Sequence, residues 1–123
     1  MEIKTELIEI VGVDYVFDAP EVLQAYSKDY SFSIPRVPNF IVKPKSAQEV
    51  QRVIKLANEH KMPVIPCSSG AHFNGTTIPS QGGIILDLGR MNRILEVDER
   101  NRKVKIEPGV TWGELQQELE KPQ

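Results

Sequence analysis

The chain has 123 residues, 26% of them charged and 40% hydrophobic, with a formal net charge of −2 and a pI near 5.7. This is the balance of one globular domain large enough for a core, and its acidity excludes a basic nucleic-acid footprint. No apolar run approaches the roughly 20 residues of a membrane span, and a single cysteine makes no internal disulfide, so a reducing cytoplasm is expected.

The amino terminus, Met1-Glu2-Ile3-Lys4-Thr5-Glu6, is acidic and lacks the apolar centre of a signal peptide. Residues 1–37 read as a helical lead-in. Within it, Asp18 stands three residues before Glu21, an analogue of the capping-box spacing, and Pro20 suits a first helical turn. A strand is expected over 39–43. Ser46 and Glu49 repeat the capping spacing, and Val50, Val53, Ile54 and Ala57 form an i, i+3, i+4, i+7 stripe. That helix should end near His60-Lys61, because cations suit a helix C-terminus and Pro63 discourages continuation. Val64-Ile65 then gives strand, helix, strand, a unit that is normally parallel.

The segment Pro66-Cys67-Ser68-Ser69-Gly70-Ala71-His72-Phe73-Asn74-Gly75-Thr76-Thr77 is rich in small and hydroxylated residues, and the next strand, 84–88, opens only after Gly82-Gly83. Connections beyond about 12–15 residues without structure of their own are uncommon and usually functional or disordered. Gly70 and Gly75 let backbone approach a ligand, and successive N–H groups in such a turn converge on an anion. Composition alone fits a plain surface loop equally well. Position favours a phosphate or pyrophosphate site, because the loop leaves the carboxyl end of a parallel strand, where ligands of open α/β sheets bind. It matches neither the dinucleotide fingerprint nor the P-loop.

Cys67 has only His72 nearby as a base, so it reads as a small half-buried loop residue rather than a nucleophile. His72 reads as a donor to phosphate or a neighbour of a ring; it lacks the companions of a metal ligand. His60 reads as a helix-end residue. Asp14, Asp18 and Asp29 are scattered, with no carboxylate pair spaced for acid/base work. No catalytic residue and no metal site are assigned.

Residues 94–98 and 103–107 alternate apolar and polar side chains, the period of half-buried strands, and Glu99-Arg100-Asn101-Arg102 suits a hairpin turn. Pro108-Gly109 is a turn that follows a strand and is a candidate lining of a cofactor pocket. Thr111 and Glu114 make a third capping box, opening a helix over 111–120. Trp112 shares a face with Leu115 and Leu119, which predicts core or helix packing. Nothing after Glu120 closes a sheet, so the chain reads as cut early. The expected fold is mixed α/β (α+β), a small mixed sheet with helices.

Taken in order, Pro38, Ile41-Val42-Lys43-Pro44-Lys45-Ser46, Glu49-Val50, Ala57-Asn58-Glu59, Val64-Ile65-Pro66, Gly70, Gly75, Gly82-Gly83-Ile84, Asp87-Leu88, Met91-Asn92-Arg93-Ile94 and Glu107-Pro108-Gly109-Val110-Thr111 resemble the FAD-linked oxidase family. This is the flavin domain of the vanillyl-alcohol oxidase type, and glycolate oxidase and D-lactate dehydrogenase-like flavin subunits look most similar. The resemblance implies that residues 38–123 are the first half of an FAD-binding domain of the PCMH type, truncated within it. Members hold the FAD pyrophosphate on a loop of the form Pro-Arg-Gly-Gly-Gly-Thr/His-Ser-x-x-Gly. Pro66 matches its proline, Gly70 its third glycine and Gly75 its last. Cys67 replaces the arginine, Ser68 and Ser69 replace two glycines, Ala71 stands at the Thr/His position and His72 at the serine. Each serine narrows the backbone's freedom and adds a hydroxyl donor.

The cofactor-binding residues so implied are Pro66, Cys67, Ser68, Ser69, Gly70, Ala71, His72, Asn74, Gly75, Pro108 and Gly109. Covalent members link flavin through the loop histidine; Ala71 occupies that place, which implies non-covalent FAD. The implied parent oxidises a small 2-hydroxy acid or related alcohol, passing hydride to the flavin and onward to an acceptor, for which an electron-acceptor subunit is one candidate, while the fragment alone is expected to be inactive. Two other readings stay open: a non-catalytic module docking a phosphate-bearing ligand or a subunit, and a flavin-domain reductase of the nucleotide-sugar type.

Overall fold

A computed structural model describes residues 2–25, 38–68 and 82–121. In chain order the elements are α1 (Ile3–Val11), a 3-10 turn (Val13–Tyr15), β1 (Val16–Phe17), α2 (Pro20–Ala25), β2 (Phe40–Val42), α3 (Ala47–Glu59), β3 (Val64–Cys67), β4 (Ile84–Asp87), β5 (Ile94–Asp98), β6 (Lys103–Ile106) and α4 (Trp112–Glu120). Four strands form one sheet in the order β1-β2-β4-β3, and β5 and β6 form a separate antiparallel hairpin. β2 and β3 both run parallel to β4, while β1 pairs antiparallel with β2. The strand–helix–strand unit is therefore parallel, as its sequence suggests, but β4 lies between its two strands.

Apolar content explains that central place. Ile84, Ile85 and Leu86 of β4 and Ile41 and Val42 of β2 are all at most 2% exposed, the continuous apolar run of strands covered on both faces. On one face Val42, Ile84 and Leu86 meet Val53, Leu56 and Ala57 of α3, Leu7 and Val11 of α1, and Val16 of β1. The lead-in thus contributes to the main core: α1 packs on α3 and β1 extends the sheet. Interleaved Lys4, Thr5, Glu6 and Glu9 hide this helix in the sequence.

Capping follows the expected residues. Ser46 Oγ accepts from the Glu49 amide at 3.3 Å, and Thr111 Oγ1 from the Glu114 amide at 3.2 Å. The Glu49 carboxylate returns not to Ser46 but to the Lys45 amide, at 3.0 Å. α3 ends at His60, and the amides of Lys61 and Met62 donate to Asn58 O (3.2 Å) and Ala57 O (2.8 Å), the paired bonds of a Schellman motif. Lys61 takes the left-handed position of that motif at φ 53°.

Two packing expectations are corrected. Ile54 is 48% exposed, and Leu56 is buried in its stead. At about 100° per residue, α1 covers the face centred on Val53, Leu56 and Ala57, and Ile54 turns away from it. Trp112 is 87% exposed, although Leu115 on the same face is buried. Helical side chains lean toward the N-terminus, so a ring on the first residue of α4 projects past the end of the helix and beyond its described neighbours.

Leu7→Ala should cost about 2–5 kcal/mol, the range for emptying a filled core site. Lys61→Gly should stabilise by up to about 1 kcal/mol, because it relieves a left-handed side chain at a compatible site. Shifts of the urea midpoint in opposite directions would check both.

Candidate functional site

Because β2, β4 and β3 are mutually parallel, their carboxyl ends share one edge of the sheet. Lys43 follows β2 there, Asp87 ends β4, and Cys67 and Ser68 lead out of β3. Asp87 is in register with Cys67, and the Leu88 amide donates to Cys67 O at 2.8 Å. Lys43 Nζ lies 3.9 Å from Asp87 Oδ2 and 5.2 Å from the centre of the Phe17 ring. Burial, reinforced by Asp87 and partly opposed by Lys43, pushes the Cys67 thiol up to about 11. The thiol is therefore neutral at physiological pH and not poised for nucleophilic attack.

Of the sequence-predicted loop residues, Pro66 is exposed and Cys67 and Ser68 are half-buried at this edge. Ser69, Gly70, Ala71, His72, Asn74 and Gly75 lie outside the described residues. Where the chain returns, Gly83 is pinned. Its amide donates to Asn39 Oδ1 at 2.7 Å, and its carbonyl accepts from the Asn39 amide at 2.8 Å. Its φ is +103°, and a Cβ there would fall 2.4 Å from Pro63 O. Both feet of the loop are thus anchored to the sheet.

Pro108 is exposed and Gly109 is buried. A Cβ on Gly109 would fall 2.5 Å from Leu88 O, 2.8 Å from Met91 O and 2.9 Å from Gly89 O, while its amide donates to Met91 O at 2.8 Å. Only glycine lets the two backbones meet so closely. The 88–91 turn therefore touches both the root of the loop, through Cys67, and the Pro108-Gly109 turn. Below it, Arg93 Nε and NH2 reach Glu107 Oε1 and Oε2 at 2.9 and 3.1 Å, and the Arg93 amide reaches Oε1 at 2.9 Å. This two-pronged bond closes the base of the β5–β6 hairpin and holds the Glu107 carboxyl below the usual carboxylate range.

Three residues at this edge escape sequence reasoning. Lys43 carries its only sequence signal as part of a family-like string. Arg90 and Tyr15 carry none, because they are distant in the chain. In the fold the Arg90 guanidinium sits 3.4 Å from the Tyr15 ring centre, and its Nη1 donates to Lys43 O at 2.8 Å. Stacking of this kind is worth about 0.5–2 kcal/mol. The donor chemistry suits a dinucleotide's pyrophosphate: a hydroxyl at Ser68, a cation at Lys43 and a loop root held at a carboxyl edge.

The thiol gives a direct check on this geometry. Its ionisation is favoured in the unfolded chain, so stability should fall as pH rises from the ordinary 9.0 towards about 11. Cys67→Ala should flatten that part of the profile. In the native protein at pH 8, alkylation of Cys67 by iodoacetamide should run roughly a hundredfold slower than for an unperturbed cysteine, in proportion to the smaller thiolate fraction.

Known proteins share this fold and sequence pattern. The FAD binding domain family matches residues 38–123. The chain is 32% identical over 109 residues to the glycolate oxidase subunit GlcD of Bacillus subtilis, a match covering 89% of the chain and 23% of that protein. It is 32% identical over 112 residues to D-2-hydroxyglutarate dehydrogenase of Stutzerimonas stutzeri, covering 91% of the chain and 24% of that protein. A crystal structure of p-cresol methylhydroxylase with substrate bound superposes with a TM-score of 0.86 at 31% identity, over 95% of this chain and 24% of that one. The chain spans about a quarter of the length of the relatives it matches, and it belongs to the FAD binding domain family.

Proposed function

We propose that the backbone amides of residues 68–75 hold the FAD pyrophosphate, with Asn74 and His72 as side-chain donors and Pro108-Gly109 closing the pocket from the hairpin side. The observation that carries this is the loop leaving β3 at the carboxyl edge and returning at a pinned Gly83, together with the family match over residues 38–123. In this assignment residues 38–123 are the first half of the FAD-binding domain and residues 1–37 its lead-in. Bound FAD would supply the hydride acceptor. The chain's own groups bind and orient it; none of the residues assigned here acts as a catalytic acid, base or nucleophile.

The parent protein in this reading is a cytoplasmic flavin oxidoreductase acting on a small 2-hydroxy acid. Two relatives support that class by their names, glycolate oxidase subunit and D-2-hydroxyglutarate dehydrogenase. The word subunit in the first also supports an electron-accepting partner chain. Flavin is held non-covalently, because Ala71 stands where covalent relatives carry the linking histidine.

Gly70→Val in the full-length protein should abolish co-purifying FAD, read from the flavin absorbance; unchanged flavin content would refute the pyrophosphate assignment. Acid or heat denaturation of the unmodified protein should release all of its flavin. Flavin that stays with the chain through denaturing electrophoresis would overturn the non-covalent assignment.

A further inference from the structure

We propose that Arg90, held by Tyr15, is a positioning residue that fixes the spacing between the two segments of the FAD cradle, the Cys67-Ser68 root and the Pro108-Gly109 turn. The proposal rests on the pyrophosphate reading above. The 88–91 turn is the one described piece of backbone bonded to both segments: the Leu88 amide donates to Cys67 O, and Met91 O accepts from the Gly109 amide, each at 2.8 Å. The turn itself is closed by the Met91 amide on Leu88 O at 3.0 Å, and the Gly89 amide is held by Asp87 Oδ1 at 2.9 Å. Arg90 ties the turn to the first two strands as well, since its guanidinium is held at once by Lys43 O after β2 and by the Tyr15 ring before β1.

Arginine is suited to this double task, because its planar, delocalised cation stacks on a ring while its edge donates hydrogen bonds. Movement of the turn would be passed on with little loss. At Gly109 there is no slack, as the 2.5 Å approach of a hypothetical Cβ to Leu88 O records. Tyr15 lies before residue 38, outside the matched family region, so the lead-in supplies the ring on which the turn rests. A site held within tenths of an ångström by supporting contacts loses affinity when they are removed, even though they never touch the ligand.

The test uses the full-length flavoprotein, with FAD titrated into apoprotein and the unfolding midpoint of each apoprotein measured alongside. Arg90→Ala and Tyr15→Leu should each weaken FAD binding about tenfold, and the double variant should be no weaker than the worse single one. Tyr15→Phe, which keeps the ring face, should stay within about twofold of the unmodified protein. Arg90→Lys should not restore binding, because an ammonium lacks the stacking plane. Leu7→Ala serves as a control that weakens the core while leaving Arg90 and Tyr15 in place, and below its midpoint it should leave FAD affinity within about twofold.

Affinity within about twofold for both Arg90→Ala and Tyr15→Leu, with Gly70→Val losing FAD, would overturn the positioning role alone. Equal weakening by Leu7→Ala, Tyr15→Phe and Tyr15→Leu would also overturn it, as a general stability effect. Retention of FAD by Gly70→Val would instead bring down the pyrophosphate reading beneath it. Should Arg90→Ala fail to fold, the contrast between Tyr15→Leu and Tyr15→Phe decides the matter.

Discussion

The close approach of Gly83 to Pro63 is the constraint on which the sheet depends. β4 sits between β2 and β3, so the chain must re-enter the sheet through a narrow gap between the start of β2 and the start of β3. Gly83 does this with φ at +103° and no Cβ; any side chain would meet Pro63 O at 2.4 Å. The Ile84 amide then donates to that same Pro63 carbonyl at 2.9 Å, and Asn39 holds Gly83 from the other side through its amide and side chain. One residue thereby fixes the register of β4 against both neighbours. A one-residue slip would turn Ile84 and Leu86 from one face to the other, stripping the core shared with Leu7, Val53 and Ala57.

That register also aligns the opposite end of the strands. With β4 fixed, Asp87 must lie beside Cys67, and the turn after it must meet both the root of the loop and Gly109. The candidate site is thus a consequence of sheet registration rather than a separate construction. The hairpin follows from the same point. It is joined at its base by the Arg93–Glu107 bond and at Gly109 by backbone contact, and its outer strands carry the cross-strand pairs Glu96–Lys105 and Asp98–Lys103, which suit a solvated face.

Local chemistry made the helix caps, the hairpin and the parallel relation of β2 and β3 legible in the sequence, because each is decided within a few neighbouring residues. Ser46 and Thr111 are cases where the side chain itself makes the deciding contact. Insertion of β4 was not legible, since strand order is settled by which apolar runs bury together. The facing of α3 failed at Ile54 for a related reason: its apolar residues cover a broad arc, and only the partner α1 selects Leu56. Trp112 misled because large aromatic rings are usually buried, whereas its position at the first residue of α4 points it outward. At the site, the ordered family-like series pointed to the FAD binding domain family, which matches residues 38–123. The Arg90–Tyr15 contact was invisible, being a tertiary meeting of two residues with no motif of their own.

The charge arrangement at the carboxyl edge bears on the root of the loop. Cys67 occupies the position at which the resembling family carries arginine, so a positive charge expected beside a pyrophosphate is absent from the loop's own start. Burial and Asp87 keep the thiol protonated, which prevents a second negative charge from forming beside Asp87. Lys43 lies near enough to Asp87, at 3.9 Å, to offset that carboxylate. Arg90, bonded to the carbonyl of Lys43, adds a second cation at the same edge. Two cations against one carboxylate leave these three side chains net positive, and in the reduced dielectric of a half-buried edge such a field acts more strongly than it would in open water. The ends of the strands therefore place net positive charge beside the root of the loop.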